Sequence, residues 1–385
     1  MVAAEKKRRD KGEGSVYQRK DGTWAAQYIP DGSTKPKYLY GKTENEVKKK
    51  LREFKKEVAK NGYTEIQKIT VKEYMDKWLY TVKKNKLKPT SFDRDEFTLN
   101  NQVYPYIGDM QIGALTHDDI QRLLNTLVDN GFAYSTIKKA HDVINACFKL
   151  GIIKEEIAKN PCVGVSLPIN KKVEKSNIKF FNERQVEQIC AMSTAKYNNG
   201  KLIYRLGHAI VVLVYTGLRI GELLALTWDD IDYDERIIRV NKSTVRIRNR
   251  DENITTTKYI LLEQESLKTD SGARIVDLNN KAIAALQAIQ EFNGKHKYVM
   301  SCENGEIILQ RNVHRMLEKI LLKCELQPCG VHTLRHTYAS MLFRRGVDVK
   351  IVSAQLGHAD VSITYNTYVH LIKEQKRQAV RLLDE

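Results

Sequence analysis

Hydrophobic and polar positions are spaced differently along the chain, and the changes of spacing divide it. Val16–Arg19, Trp24–Ile29 and Lys37–Tyr40 are short runs rich in β-branched and aromatic residues. Lys20-Asp21-Gly22 and Asp31-Gly32 separate them, and Asp-Gly pairs supply the positive φ at which strands reverse. The pattern predicts a three-stranded antiparallel sheet. Thr43 followed by Glu46 predicts a capping box opening a helix over Glu44–Lys60, with Asn61-Gly62 ending it. From Thr70 to about Val165 apolar positions return every three or four residues, over Val71–Val82, Ser91–Val103, His117–Asn130 and Tyr134–Leu150. That is the period of helices with one buried face, and Thr116 and Ser135 read as N-caps of the last two. Asn160-Pro161 breaks the pattern, and Pro168–Asn177, with four charged residues in ten, reads as a linker. Helices resume from Phe180. Ile237–Ile247 and Arg274–Leu278 interleave β-branched with polar residues, which predicts a hairpin or three-stranded sheet set into an α domain. The chain shows no internal repeat and no low-complexity tract beyond its basic leader.

A length of 385 residues exceeds one ordinary core. The expected division is 1–62, 68–167, a linker at 168–177, and 178–385: mainly α with small β-sheets. Lys and Arg outnumber Asp and Glu by 64 to 47, which points to a polyanionic partner, with nucleic acid first among them. Residues 1–62 alone hold 17 of those bases against 9 acids. A membrane partner is disfavoured, because no run approaches the roughly 18 apolar residues of a spanning helix. The longest apolar run, Ala209–Tyr215, suits a buried helix. Met1–Lys11 is charged and lacks the apolar segment of a secretory signal, so the expected location is cytoplasmic. The six cysteines form no CxxC pair and read as reduced core residues rather than zinc ligands.

In the amino-terminal sheet, Tyr17, Gln18, Arg19, Trp24, Gln27, Tyr38 and Tyr40 suit a ribbon laid in a DNA groove. The same aromatic residues also suit a core beneath the helix, and Trp24 is assigned there. Arg19 and Lys20 are assigned to phosphate contact, with Gln27, Lys37 and Tyr40 as further candidate DNA contacts.

Chemistry-bearing residues fall in four segments of the last domain. In Tyr215–Leu226 a buried helix ends at Gly217 and another begins near Arg219, a setting in which an Arg and free backbone N–H groups meet a phosphate. Taken alone, Arg219 pairs equally well with Glu222 on a solvated face. Lys268-Thr269-Asp270-Ser271-Gly272-Ala273-Arg274 forms the tip of the predicted hairpin, where a lysine is either an ordinary loop residue or a mobile acid. In Val331–Ala339, His332 and Arg335 fall on one face of a helical turn, so an anion there meets an imidazole and a guanidinium. The His332 and His336 pair invites a zinc reading, but Thr333 replaces the Glu of an HExxH motif and no third ligand is evident. Leu356-Gly357-His358-Ala359-Asp360 leads into Ser362–His370, which contains Tyr365 and Tyr368.

Taken together, TGLRxxELLAL, a hairpin lysine, HxLRHTxAS, LGH and a terminal TYxH resemble the tyrosine recombinases, the phage integrase family. The preceding all-α unit is similar to that family's core-DNA-binding domain. The basic sheet-plus-helix resembles the arm-site-binding domain of integrases from phages and conjugative transposons. The resemblance implies an α+β catalytic domain that cuts and rejoins DNA for integration and excision of a mobile element. It implies that Arg219 and Arg335 clamp the non-bridging oxygens of a phosphorane. His332 would handle a proton near the nucleophile, His358 would hydrogen-bond the scissile phosphate, and Lys268 would protonate the departing 5′ oxygen. Tyr368 would attack phosphorus to give a 3′-phosphotyrosine, with no cofactor and no metal. Glu222 and His336 are given supporting or packing roles. His358 and Tyr368 stand ten positions apart where some members of the family have nine, and Tyr365 lies close by, nearly one helical turn before Tyr368, a spacing at which both rings could share a face. Implied partners are double-stranded DNA at element ends and target sites, a homo-tetramer on that DNA, and an excisionase-type accessory factor. The helix Lys373–Leu383 would permit exchange between protomers. The rivals are a type IB topoisomerase and a non-catalytic DNA-binding protein. A separate basic amino-terminal module argues against the first, and Arg219, Lys268, Arg335 and Tyr368 in one chain against the second.

Overall fold

The computed structural model describes residues 14–30, 36–61, 69–168, 180–251, 257–265 and 273–369. The chain forms two compact units, Met1–Lys171 and Lys172–Glu385. Among the described residues no helix is long and apolar enough to cross a membrane.

The first unit begins with the antiparallel sheet β1 (Ser15–Gln18), β2 (Trp24–Tyr28) and β3 (Lys37–Gly41), followed by α1 (Glu44–Asn61). Register sets Val16, Ala26 and Leu39 side by side, and this face packs with Trp24 and Tyr28 against Val47 and Leu51 of α1. Trp24 is thus core. The predicted capping box is displaced by one residue. Thr43 Oγ1 accepts from the Glu46 N–H, but the Glu46 carboxylate accepts from the backbone of Lys42 rather than Thr43.

The helical part of this unit has α2 (Val71–Trp78), α3 (Pro89–Thr98), α4 (Tyr104–Ile107), α5 (His117–Asp129) and α6 (Tyr134–Ile153). Two predicted helices are longer because α2 and α3 each run on into a π-helical turn, Leu79–Lys83 and Leu99–Val103. The second opens at Pro89, before Ser91, since proline fits the first helical turn. Thr116 makes a full capping box with Asp119. Ser135 is not a cap: α6 already begins at Tyr134, with Ala133 at the cap position and no side-chain cap bond. Leu79, Leu99, Leu124, Ile144 and Phe148 form the centre of the core, with Cys147 and Cys162 buried beside them. No cysteine of the six is in a disulfide.

The second unit contains α7 (Glu183–Ser193), α8 (Gly207–Thr216), α9 (Ile220–Ala225), β4 (Ile231–Asp232), β5 (Ile237–Val240), β6 (Lys242–Arg248), β7 (Tyr259–Glu265), β8 (Arg274–Asp277), α10 (Asn280–Asn293), α11 (Gln310–Lys323), α12 (His332–Arg344) and α13 (Val349–Leu356). A last helix, α14, covers 361–369. The apolar run predicted to be a buried helix is the middle of α8, with Ala209 to Val214 buried. Ile237–Ile247 is not one strand but two in different sheets. Val240 pairs with Arg274 in the sheet β4-β5-β8, and from Lys242 the chain pairs with β7 instead. The switch is held by α9 and α11. Thr244 Oγ1 donates to the Gly221 carbonyl, and the Gln310 amide donates to the Thr244 carbonyl.

Helices α7 and α8 meet closely at Gly207, where an added Cβ would lie 1.7 Å from the Ser193 carbonyl oxygen. Backbone on both sides leaves no side chain to give way. Gly207→Ala is therefore expected to destabilise the second unit by about 3 kcal/mol, the upper end for overpacking a close contact. Urea unfolding of the variant checks this, and an unchanged midpoint would contradict it.

Candidate active site

The site is assembled at the carboxyl-terminal ends of two helices. An α-helix leaves its last four carbonyls without partners inside the helix, and those oxygens carry the negative end of its dipole. In α8 and α13 the turn that exposes them is made by a glycine in the left-handed region: Gly217 at φ 66° and Gly357 at φ 65°. Side chains are nearly excluded at both. A Cβ on Gly217 would lie 2.4 Å from the Tyr338 ring, and one on Gly357 would lie 2.7 Å from Cδ of Arg274.

Three arginines occupy these carbonyls. At the end of α13, Arg274 Nε donates to the Gln355 carbonyl at 3.0 Å, Arg335 Nη2 to that of Leu356, and Arg219 Nη2 to that of Gly357 at 3.3 Å. At the end of α8, Arg335 Nη1 donates to the Gly217 carbonyl at 2.8 Å. Arg335 is only 2% exposed. Burial, then the charge of Arg219, push it down to about 9, so it stays cationic at neutral pH.

Glu222 balances the group. It is 4% exposed and takes both Nη atoms of Arg274 at 3.0 and 2.8 Å, together with Arg219 Nη1 at 2.8 Å and the Arg219 N–H at 2.8 Å. Burial would raise this carboxyl, but the bonds and charge of Arg274, followed by those of Arg219, bring it down to about 2. Arg219 does pair with Glu222, a buried carboxylate, while its own side chain stays 42% exposed. Sequence reasoning gave Arg274 no role. Its partner lies 52 residues away, and only its position beside the hairpin lysine hinted at a function.

The imidazoles around the arginines are held neutral. His358 Nδ1 lies 2.7 Å from the buried Thr364 hydroxyl, and with that hydroxyl donating to the uncharged ring the proton would sit on Nε2. Burial, then Arg335 and Arg219, push His358 down to about 4. His332 is lowered by burial, Arg335 and Arg219. His336 lies on α12 one turn from His332, their rings edge to face at 4.8 Å. Its Nδ1 is 2.7 Å from the Tyr368 hydroxyl, and burial, His332 and Arg335 push it down to about 4.

Tyr368, on α14, is 1% exposed and packs on Phe343. Burial raises its phenol well above the usual range, with Arg335 opposing. Tyr365 does not share its face: the helix turns that ring outward, 41% exposed. The structure thus brings Arg219, His332, Arg335, His358 and Tyr368 into one cluster and adds Arg274 and His336. Lys268 lies outside the described residues.

The amino-terminal candidates divide between two faces of their sheet. Tyr40, Gln27, Tyr17 and Tyr38 share the face away from α1, and the Arg19 guanidinium stands 5.3 Å over the Tyr40 ring. Lys20 is exposed at the adjoining turn. Lys37 is on the α1 side instead, its Nζ 4.9 Å from the centre of the Phe54 ring, because it pairs in register with Tyr28.

Protonation follows from these values. His336 and His358 sit near 4 when folded against the usual 6.5, so the unfolded chain takes up their protons first as pH falls. The stability they contribute is complete above about 6.5 and is lost toward 4. Glu222 adds a loss in the same direction below its ordinary 4.5. Between pH 7 and pH 5 the DNA-free protein should lose on the order of 2–4 kcal/mol of unfolding free energy. Urea titrations at the two pH values check this. In the double variant His336→Gln, His358→Gln the dependence should become shallow, and an unchanged slope would contradict the assignment.

The model described as Phage integrase family matches residues 179–375, and that described as Phage integrase, N-terminal SAM-like domain, matches 70–128. A protein named Tyrosine recombinase XerC-like, from Caldanaerobacter subterraneus subsp. tengcongensis, is 30% identical over 372 residues, covering 91% of each chain. Among solved structures, the Tn1549 transposon integrase in complex with transposon right end DNA aligns with a TM-score of 0.65 at 23% identity, covering 82% of this chain and 100% of that one. A lambda integrase tetramer bound to a Holliday junction aligns with a TM-score of 0.58 at 16% identity, covering 94% and 96%. These two likenesses show the fold. With the family model spanning half of the chain and a relative similar across nine-tenths of it, the chain belongs to the phage integrase family and is a tyrosine recombinase.

Proposed function

We propose that this chain integrates and excises a mobile element by breaking and rejoining double-stranded DNA, with Tyr368 as nucleophile. The observation that carries the reading is the pairing of anchored guanidiniums with a buried tyrosine hydroxyl in one cluster. Attack on a phosphodiester builds an extra negative charge on the non-bridging oxygens. Arg219 and Arg335 are already fixed by main-chain carbonyls, so they stabilise that charge without first being ordered. Their planar donors match two oxygens at once, which a lysine would not do. His358, neutral with Nε2–H as donor, adds a hydrogen bond to the same phosphate. The Tyr368 oxygen bonds to phosphorus, the bond to the 5′ oxygen breaks, and Lys268 supplies that oxygen with a proton. The phosphotyrosine conserves the energy of the broken bond. A 5′-hydroxyl from the partner duplex reverses the step, and no cofactor or metal enters.

In this reading 1–62 binds distal arm sites, 68–167 binds the core site, 168–177 links, and 178–385 is catalytic. Arg19, Gln27 and Tyr40, on one sheet face beside Lys20, are the arm-site contacts; Lys37 is left to packing on α1. The integrase complexes with DNA and the lambda tetramer support a homo-tetramer on DNA, with an excisionase-type factor setting direction. Chromosomal and element DNA place the activity in the cytoplasm.

A duplex nicked near the cleavage site traps the covalent intermediate, because the short 5′-hydroxyl fragment diffuses away. Tyr368→Phe should bind this duplex normally and form no adduct, while Tyr365→Phe stays within about threefold of the parent, since phenylalanine removes only the attacking oxygen. A nucleotide remnant mapped to Tyr365, or an adduct on the Tyr368→Phe protein, would overturn the assignment.

A further inference from the structure

The resemblance assigns proton handling near the nucleophile to His332, yet the nitrogen that meets the tyrosine oxygen belongs to its neighbour one turn along α12. We propose that His336 is a catalytic residue, the general base that takes the proton from Tyr368 as its oxygen attacks phosphorus. This rests on Tyr368 being the nucleophile.

Geometry carries the assignment. His336 Nδ1 is 2.7 Å from the Tyr368 hydroxyl oxygen, the distance at which an O–H donates to an imidazole nitrogen. Tyr368 is 1% exposed, so bulk water does not compete for this proton. Phe343 on one side and His336 on the other fix the phenol ring, with centroids at 5.3 and 5.9 Å. The His332 ring packs edge to face on His336 and belongs to a solvent-exposed residue, which offers the proton a way out to solvent.

The charged and titratable groups facing His336 are His332 and Arg335 of its own helix and Tyr368 of α14. Burial, then His332 and Arg335, keep the ring neutral in the absence of DNA, which leaves Nδ1 able to accept. A bound phosphate brings negative charge against Arg335 and relieves that repulsion, strengthening the base when substrate is present. In the step itself the Tyr368 oxygen–phosphorus bond forms, the phosphorus–5′ oxygen bond breaks, the phenol proton passes to His336 Nδ1, and Lys268 gives its proton to the 5′ oxygen. On rejoining, the departing phenolate recovers its proton from the imidazolium.

The test varies base and nucleophile together. Tyr368 is replaced by 2,3,5-trifluorotyrosine, whose phenol is far more acidic, in the parent and in His336→Gln and His336→Asn. Single-turnover cleavage of the nicked duplex is then measured at neutral pH, with melting and DNA binding checked for each protein. With natural tyrosine, both variants should cleave about a hundredfold or more slowly while binding DNA as the parent does. With trifluorotyrosine, whose phenol gives up its proton far more readily, the deficit should shrink to within a few-fold. An equal deficit with either nucleophile, or none with tyrosine, would overturn the proposal and leave His336 as packing. In the parent, the rate should change little across a series of fluorotyrosines and show a solvent deuterium isotope effect, since the base shares the proton in the transition state. A steep dependence without an isotope effect would also overturn it. Adducts mapped to a tyrosine other than 368 in the parent would instead identify a failure of the nucleophile assignment, independent of any change at position 336.

Discussion

Three guanidiniums in one pocket repel each other, and the catalytic unit is organised around what holds them there. Unit charges a few ångströms apart repel by on the order of 4 kcal/mol each at an effective dielectric of about 20. One buried carboxylate, Glu222, answers two of them directly. Four main-chain carbonyls, of Gly217, Gln355, Leu356 and Gly357, supply the remaining acceptors. The ends of α8 and α13 therefore serve as fixed partial negative charges. The left-handed glycines that close those helices are what turn the carbonyls toward the arginines.

In the proposed mechanism catalysis follows from the same arrangement. A carbonyl offers a partner without a full compensating charge, so the site keeps a net positive character that a phosphate completes. Because the guanidiniums are positioned before DNA arrives, little reorganisation is needed when charge develops on the phosphorane. Burial, reinforced by the same cations, keeps His332, His336 and His358 from protonating. Neutral imidazoles accept or donate according to their hydrogen-bond partners: in the proposed mechanism His358, beside Thr364, donates and His336, beside Tyr368, accepts. In the proposed mechanism charge and proton transfer are thus divided between two kinds of side chain.

How much of this was legible in the sequence depended on the separation of the interacting residues. Helix periods in the all-α part, the buried run of α8 and the strands of the amino-terminal sheet were visible because each rests on near neighbours. Thr116 with Asp119, and Arg219 with Glu222, are three residues apart and could be read directly. Arg274 could not, because its carboxylate partner is 52 residues away and comes near only once the unit has folded. The split of Ile237–Ile247 between two sheets escaped for a similar reason: it depends on Thr244 reaching Gly221 and Gln310. His336 read as a packing residue because Tyr368 lies 32 positions on. Helix spacing alone allowed Tyr365 to share a face with Tyr368, and the two are separated once α14 is seated, with Thr364 and Tyr368 turned inward.

The central claim is that the arginine clamp is built before DNA binds. It is tested most directly by nitrogen NMR of the arginine side chains in the DNA-free protein at neutral pH, with Arg274, Arg219 and Arg335 assigned through single Lys substitutions. A prebuilt clamp predicts resolved, slowly exchanging Nη signals for Arg274 and Arg335, with restricted rotation about Nε–Cζ, and only small changes when the nicked duplex is added. Averaged, fast-exchanging signals that become resolved only on DNA binding would contradict it.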